Sequence, residues 1–374
     1  MEKNNKTLNV PHLRFPEFSG EWESTPISTI ADIIGGGTPD TSVDEYWGGN
    51  IQWFTPSEIG KEKYAYLSDR TITEAGLKNS SAKLLPQGTV LLSTRATIGE
   101  CSIATAECTT NQGFQSLVAK KNNVSSEFLY YIVAKIKREM LRRSCGSTFL
   151  EISANELKKI HANIPPKAEQ EKLVSLLSLI DQRIETQKKI IEKYESLIRG
   201  LCEQLTRQGT KNKAINECLD CHTSTLQEST VSGTGKYPVY GAIGVCGYTN
   251  FKDVKDDGIL IIKDGASVGT TYYARGSYSH IGTLNRLTAR KGVNLRYVYY
   301  CLKVMNFAPY KTGLAIPHIY FKDYGKHRIW CPSYEEQLHI ANILTQIDDK
   351  IHVEKSLLEQ LNSQKRYMLG QLFI

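Results

Sequence analysis

The sequence predicts an α+β protein built twice: two pseudo-symmetric, mixed α/β globular blocks separated by two long, antiparallel, coiled-coil-like helices. Three observations carry that prediction. The first is an internal repeat, the feature that organises everything else. Glu169-Gln170 through Asp181-Gln182-Arg183-Ile184 matches Glu336-Gln337 through Asp348-Asp349-Lys350-Ile351 at a constant offset of 167 residues. The match runs back through Pro165 on Pro332, Ile152 on Ile319, Phe149 on Ile316 and Gly146 on Gly313. Farther upstream the offset drifts, so that Arg95–Gly99 lies over Gly265–Gly269 and Tyr130-Tyr131 over Tyr299-Tyr300. The second observation is a heptad seam after each block, and the third is a turn followed by a buried strand inside each.

Taken in order, the chain divides into an N-terminal segment (1–19), a first block (20–166), a central helix (167–211), a second block (212–331) and a final helix (332–374). In the first block Gly36-Gly37-Thr38-Pro39 reads as a loop, and Gly88-Thr89 turns into the apolar strand Val90-Leu91-Leu92. Ser125–Arg143 reads as a helix with a serine N-cap. Pro165-Pro166 stops any continuous entry into the central helix. That helix carries Leu173, Leu177, Ile180, Ile184 and Ile191 at steps of three, four and seven, with a polar gap at Gln187. The second block repeats the turn and strand at Gly258–Ile262 and a helix at Asn294–Met305. Pro332 opens the final helix, whose seam is Ile340, Leu344, Ile347, Ile351 and Leu358, with its gap at Glu354, the repeat-equivalent of Gln187. A helix about 63 Å long must bury such a seam, and the chain's own copy is the obvious partner. A Gln–Glu pair at the gap would fix the register of an otherwise slidable seam; the plain alternative is a solvated opening.

Net charge is +7, carried unevenly. Residues 20–166 hold 15 basic and 16 acidic side chains, whereas residues 212–331 hold 15 basic and 8 acidic. A basic second block permits a polyanionic partner without proving one. The first block has one local cluster, Lys135, Lys137, Arg138, Arg142 and Arg143, against Glu139 alone. Lys135, Arg138 and Arg142 share a helix face, which is either a solvated face or a phosphate-contacting edge. No run of 18 apolar residues occurs, so no membrane span is expected. The N-terminus shows no secretory pattern and the nine cysteines are an odd number, so a cytoplasmic protein with reduced thiols is expected.

Catalytic signatures are missing. Gly233-Thr-Gly-Lys236 fails the spacing of a phosphate loop. Asn163-Ile-Pro-Pro166 lacks the aromatic of an amino-methyltransferase loop and reads as a connector. Pro39-Asp40 has no partner Glu-x-Lys at nuclease distance. Cys218-Leu-Asp-Cys221-His222 spells a haem-attachment pattern and offers three zinc ligands, but no fourth ligand sits at metal-site spacing, so no metal is expected. Polar side chains instead gather in equivalent loops: Ser93, Thr94, Arg95, Thr97, Asn111, Gln112 and Gln115 in the first copy, and Lys263, Asp264, Ser267, Thr270, Thr283, Asn285 and Arg286 in the second. Arg, Asn and Gln are the side chains that pair bidentately with base edges. Ordinary turn roles are the alternative. A repeat that keeps its framework while varying its polar loops looks like two readers of two sequences.

Over essentially its full length the sequence resembles the specificity subunit of type I restriction–modification systems. The resemblance rests on Leu13-Arg-Phe-Pro-Glu-Phe-Ser-Gly-Glu-Trp22, Gly36-Gly-Thr-Pro39, Tyr46-Trp-Gly-Gly-Asn50, Leu85-Pro-Gln-Gly-Thr-Val90, Ser93-Thr-Arg-Ala-Thr-Ile-Gly99 and Asn111-Gln-Gly113. In the second copy it rests on Lys236-Tyr-Pro-Val-Tyr-Gly241 with Gly247-Tyr248, and both long helices begin alike, at Pro165-Pro-Lys-Ala-Glu-Gln-Glu-Lys172 and Pro332-Ser-Tyr-Glu-Glu-Gln337. The second copy lacks the Gly-Gly-Thr-Pro and Tyr-Trp elements. The resemblance implies two target recognition domains, each reading half of a split double-stranded DNA site, with helices that set the spacing. It adds Thr38, Lys236 and Tyr237 to the candidate base readers. It also implies a non-catalytic chain that binds no cofactor itself and works with two methylation subunits, which use S-adenosylmethionine to modify adenine at N6. Motor-nuclease subunits using ATP and Mg are further implied partners. The competing expectation is a fused or diverged DNA methyltransferase or nuclease with its own activity; a third is a purely helical scaffold.

Overall fold

In the computed structural model, residues 9–146, 150–251, 254–313 and 315–374 are described. Phe149 of the repeat and the first eight residues of the 1–19 segment lie outside them. The chain forms two units, one of residues 1–186 with 358–374 and one of residues 187–357. Each is taken by itself.

The first unit is centred on a five-stranded sheet of β1 (Ala31–Gly35), β2 (Tyr64–Ala65), β3 (Val90–Leu92), β4 (Cys101–Ala104) and β5 (Gln115–Ala119) in the order β1-β5-β3-β4-β2. Every neighbour is antiparallel except β2, which runs parallel to β4. β3 is buried on both faces, which is why it reads as an unbroken apolar run. Helix α1 (Ser126–Arg143) covers one face; the Ser125 hydroxyl accepts from the Phe128 N–H, the N-cap the sequence signalled. Phe128, Leu129, Ile132, Val133, Ile136 and Met140 form its buried stripe. They join one core with Leu173, Leu177, Ile180 and Ile184 of the central helix and Leu361, Leu372 and Phe373 of the final segment, with Leu358 packed at its margin. The unit also holds a three-stranded sheet of Arg70–Ile72, Trp47–Phe54 and Cys108–Thr110 and a two-stranded one of Glu23–Pro26 with His161–Ile164.

The second unit repeats this plan with one strand fewer. Its main sheet is β6 (Leu219–Thr223), β7 (Gly258–Ile262), β8 (Thr271–Ala274) and β9 (Leu284–Ala289), ordered β6-β9-β7-β8 and antiparallel throughout. Helix α2 (Leu295–Lys303), capped by Asn294, packs on it. Nothing in this sheet corresponds to β2 among the described residues. The unit's core includes Ile198, Cys202, Ile340, Leu344 and Ile351, with Ile347 at its margin. Ile191 is also buried.

The helices Lys167–Thr206 and Tyr334–Leu372 contribute seam residues to the core of each unit. Both are anchored by the same residue of the repeat. Gln170 Nε2 donates to the Pro165 carbonyl at 3.0 Å, and Gln337 Nε2 donates to that of Pro332 at 2.8 Å, each closing the turn in which proline leaves the helix start open. In the second unit the gap residues meet: Gln187 Nε2 donates to the Glu354 carboxylate, and to its carbonyl at 3.1 Å, while Lys350 pairs with the same carboxylate at 2.6 Å. Both residues of the pair are buried. The two hydrogen bonds, from Lys350 and then from Gln187, hold the Glu354 carboxyl below its ordinary range.

Candidate nucleic-acid interface

In the first unit three loops are tied together by main-chain bonds. Gly37 N–H donates to the Thr110 carbonyl at 2.8 Å, and Thr94 N–H donates to that of Gly113 at 2.9 Å. The approach is close enough that a Cβ on Gly36 would lie 2.0 Å from the Asn111 carbonyl oxygen, so only glycine fits. On this frame the Thr38 hydroxyl donates to Gln112 Oε1, which orients the amide. Gln112 is exposed and Thr38 half-buried. Asn111 Oδ1 accepts from Gly113 N–H at 2.8 Å, an Asx turn that sets the bend. Gln115 pairs with Gly35 within the sheet.

The Ser93–Gly99 loop presents Arg95, Ala96 and Thr97 to solvent. Ala96 has φ 63°, the left-handed region that a non-glycine residue enters at a cost of about 1–2 kcal/mol. The loop is held there by Ser93 Oγ, which reaches the Arg95 carbonyl at 3.1 Å and Thr97 Oγ1 at 2.9 Å, and by the Leu150 carbonyl accepting from Ala96 N–H. Arg95 bridges to Glu151 through the main chain, and their side chains pair at 3.9 Å, both 45% exposed.

Three side chains proposed from sequence as base readers are corrected by their burial. Ser93 and Thr94 are wholly buried and spend their hydroxyls on the loop itself. Asn285 of the second unit is 5% exposed, on β9 beside the core residue Leu284, and is corrected in the same way. Ser93 and Thr94, at the end of β3, turn inward to satisfy the loop.

The second unit rebuilds the strained loop with different chemistry. Lys263 N–H donates to the Thr283 carbonyl at 2.9 Å, and the Lys263 carbonyl accepts from Ile319 N–H at 2.9 Å. Asp264 bridges to His318 through the main chain as Arg95 does to Glu151. His318 Nδ1 lies 2.8 Å from Asp264 Oδ1, and Lys263 Nζ pairs with the other carboxylate oxygen. Burial pushes the Asp264 carboxyl up, but the hydrogen bonds from Lys263 and His318 outweigh it and hold the group below its ordinary range. Gly265, at φ 102°, takes the left-handed conformation, and Ser267 is exposed. Arg286 is half-buried on β9 and its Nε donates to the Tyr278 hydroxyl at 3.1 Å. Lys236 and Tyr237 stand at the start of the second unit's three-stranded sheet, formed by Tyr237–Gly241, Gly244–Thr249 and Ser279–His280, with the ammonium 5.6 Å from the Tyr237 ring centroid.

The basic face of α1 is divided. Lys135 and Arg142 line a cleft of about 340 Å³ with Arg143, Lys159 and His161, whereas Arg138 is exposed outside it. Lys135 Nζ donates to the Phe373 carbonyl at 2.8 Å, and burial pushes its pKa down. Arg142 and Arg143 both pair with Glu139, at 2.8 and 2.6 Å. One further cluster escaped the sequence reading: the Arg70 guanidinium lies 3.5 Å over the Trp47 ring, which meets Trp53 edge-on, and Trp53 Nε1 donates to the Gly37 carbonyl at 2.9 Å. Trp47 belongs to the Tyr46-Trp-Gly-Gly-Asn50 motif; Arg70 carries no sequence signal. Of the Cys-x-x-Cys-His pattern, Cys218 is core and His222 bonds Thr288 at 2.9 Å. No helix among the described residues is long and apolar enough to cross a membrane.

Known proteins place this geometry in context. The family described as "Type I restriction modification DNA specificity domain" matches residues 19–196 and again 210–363. The chain is 42% identical over 180 residues to the type I restriction enzyme MjaIX specificity subunit of Methanocaldococcus jannaschii, covering 46% of this chain and 41% of that protein. It is 24% identical over 360 residues to the EcoprrI specificity subunit of Escherichia coli, covering 88% of both. The crystal structure of a type I restriction–modification S subunit from M. genitalium superposes with a TM-score of 0.66 at 19% identity, covering 98% of this chain and 99% of that one.

Proposed function

The chain belongs to the family of type I restriction–modification DNA specificity subunits, and we propose on that footing that each unit reads one half of a bipartite, asymmetric site in double-stranded DNA. One observation carries the reading. At the same bridge of the repeated fold, the first unit displays Arg95 with Glu151 and the second displays Asp264 with His318. The main-chain frame is shared and the charge is reversed, as two readers of different bases require. Arginine matches the O6 and N7 acceptors of guanine, a Gln amide matches adenine, and a carboxylate accepts from the N4 amine of cytosine. Arg95, Thr97 and Gln112, oriented by Thr38, are therefore the base readers of the first unit. Lys263, Asp264 and Ser267 are those of the second. Arg138 and Arg142 contact phosphate.

The long helices set the half-site spacing and dock two methylation subunits. Those subunits bring S-adenosylmethionine and methylate adenine at N6; motor-nuclease subunits bring ATP and Mg. The specificity chain itself is cytoplasmic, non-catalytic and cofactor-free. The test is a block exchange. Replacing residues 212–331 with the equivalent block of a relative, then mapping methylated adenines, should change one half of the site only. A change in both halves or in neither refutes the assignment.

A further inference from the structure

The two copies of the fold differ at one sheet edge. In the first unit β4 is flanked by β2, whose parallel pairing places Tyr64 opposite Ile103 and Ala65 opposite Ala104. Ile103 N–H donates to the Lys63 carbonyl at 2.7 Å and Thr105 N–H to that of Ala65 at 3.1 Å. The Lys63 side chain then runs inward, donating to the Tyr131 hydroxyl at 3.0 Å and to Ser178 Oγ at 2.8 Å. In the second unit β8 is the last strand of its sheet among the described residues. Tyr273 and Arg275 occupy the positions of Ile103 and Thr105. An unpaired edge is a template for another strand.

Beside that edge lies a groove of about 950 Å³, lined by Thr271, Tyr272 and Tyr273 of β8 together with side chains of α2 and of both long helices. The tasks Lys63 performs in the first unit are done here from α2 itself. Arg296 Nη1 donates to Thr345 Oγ1 at 3.1 Å, and Lys303 pairs with Asp348 at 3.0 Å; Thr345 and Asp348 are the repeat-equivalents of Ser178 and Asp181. The groove's polar floor is thus satisfied without a guest lysine, and its charge is left in excess. Arg199, Arg275, Arg296, Lys303 and Lys355 face only Glu195, Asp348 and Asp349.

We infer that this edge and groove receive an extended, acidic segment of a partner polypeptide, which adds as a strand parallel to β8 in the way β2 adds to β4. Main-chain bonds from Tyr273 and Arg275 N–H hold the segment. The tyrosines take an aliphatic or aromatic side chain, and the surplus guanidinium and ammonium groups take its carboxylates. The inference stands apart from DNA reading.

The probe is a labelled peptide of residues 60–67, the segment that fills the first unit's edge, with Lys61→Glu and Lys63→Glu. Added to the full chain, it should bind saturably and slow hydrogen exchange at the Tyr273 and Arg275 amides. Arg296→Glu should weaken binding roughly tenfold, one charge contact's worth. Arg199→Glu, on an exposed position, gives the same reading without touching the packed floor. The inference is overturned if millimolar peptide leaves those amides unprotected. It is equally overturned if both charge reversals leave binding unchanged, or if a DNA duplex protects the amides where the peptide does not, which would make the groove a nucleic-acid surface.

Discussion

Replacing Asp181 by Asn should loosen the first unit far more than Asp348→Asn loosens the second, although the two occupy one position of the repeat. Asp181 is 13% exposed and accepts from the Tyr131 hydroxyl and from Lys365 Nζ, both at 2.6 Å, with Lys63 Nζ at 3.8 Å. The Lys63 side chain is 8% exposed. Breaking a buried ion pair by removing one partner costs about 3–5 kcal/mol, because the other charge stays desolvated. With Lys365 still 22% exposed, the lower end applies, about 3 kcal/mol. Asp348 faces one lysine, Lys303, which is 34% exposed, so its loss belongs with surface pairs at up to about 1 kcal/mol. Burial already depresses the Lys63 pKa, and Asp181 is the chief influence opposing that. In Asp181→Asn the folded-state pKa of Lys63 falls further below 10.5. A lysine so depressed weakens the fold while it stays charged; the penalty begins to shrink as pH rises through its folded-state value and is gone above its unfolded value near 10.5. The deficit should therefore be larger at pH 7 than at pH 10. Hydrogen exchange at the amides of α1 reports the first unit's opening, and at those of α2 the second's. Equal costs for the two substitutions, or an undiminished deficit at pH 10, would refute the reasoning.

Three other outcomes are expected. Arg95→Ala should cost roughly 1–3 kcal/mol of discrimination at one base while leaving the salt slope unchanged, measured by titrating the assembled complex on cognate and scrambled duplexes. On the same duplexes Arg138→Ala or Arg142→Ala should weaken binding alike and reduce the salt dependence; base-selective loss from either would contradict a phosphate role. Leu at both Gln187 and Glu354 should raise the denaturant midpoint and yield an altered or mixed half-site spacing, whereas unchanged spacing would deny the pair any role in register.

Much of the architecture was legible because it is written periodically. The repeat offset paired Gln187 with Glu354 before any coordinate did, and heptad spacing marked Leu173, Leu177, Ile340 and Leu344 as seam. The strands Val90–Leu92 and Gly258–Ile262 announce themselves as apolar runs after a turn. What periodicity cannot reveal is which neighbour in a polar loop turns inward. Thr94 and Arg95 are adjacent and equally polar, yet Thr94 closes on the Gly113 carbonyl and Arg95 faces water. The strand Tyr64–Ala65 was invisible for another reason: two residues carry no pattern, and its pairing with Ile103 and Ala104 is long-range. Arg70 over Trp47 likewise depends on tertiary approach alone.

The bridge beneath Arg95 and Asp264 has a consequence for how such a protein acquires a new preference. Each loop is fastened by peptide groups, through Ala96 to Leu150 in one unit and through Lys263 to Ile319 in the other. Peptide groups are the same whatever side chain they carry. A single codon change at the exposed position therefore alters what is offered to the solvent while costing the fold little, and the inventory of offered groups can drift independently of the framework. In the two units of this one chain that drift has already run from a guanidinium to a carboxylate.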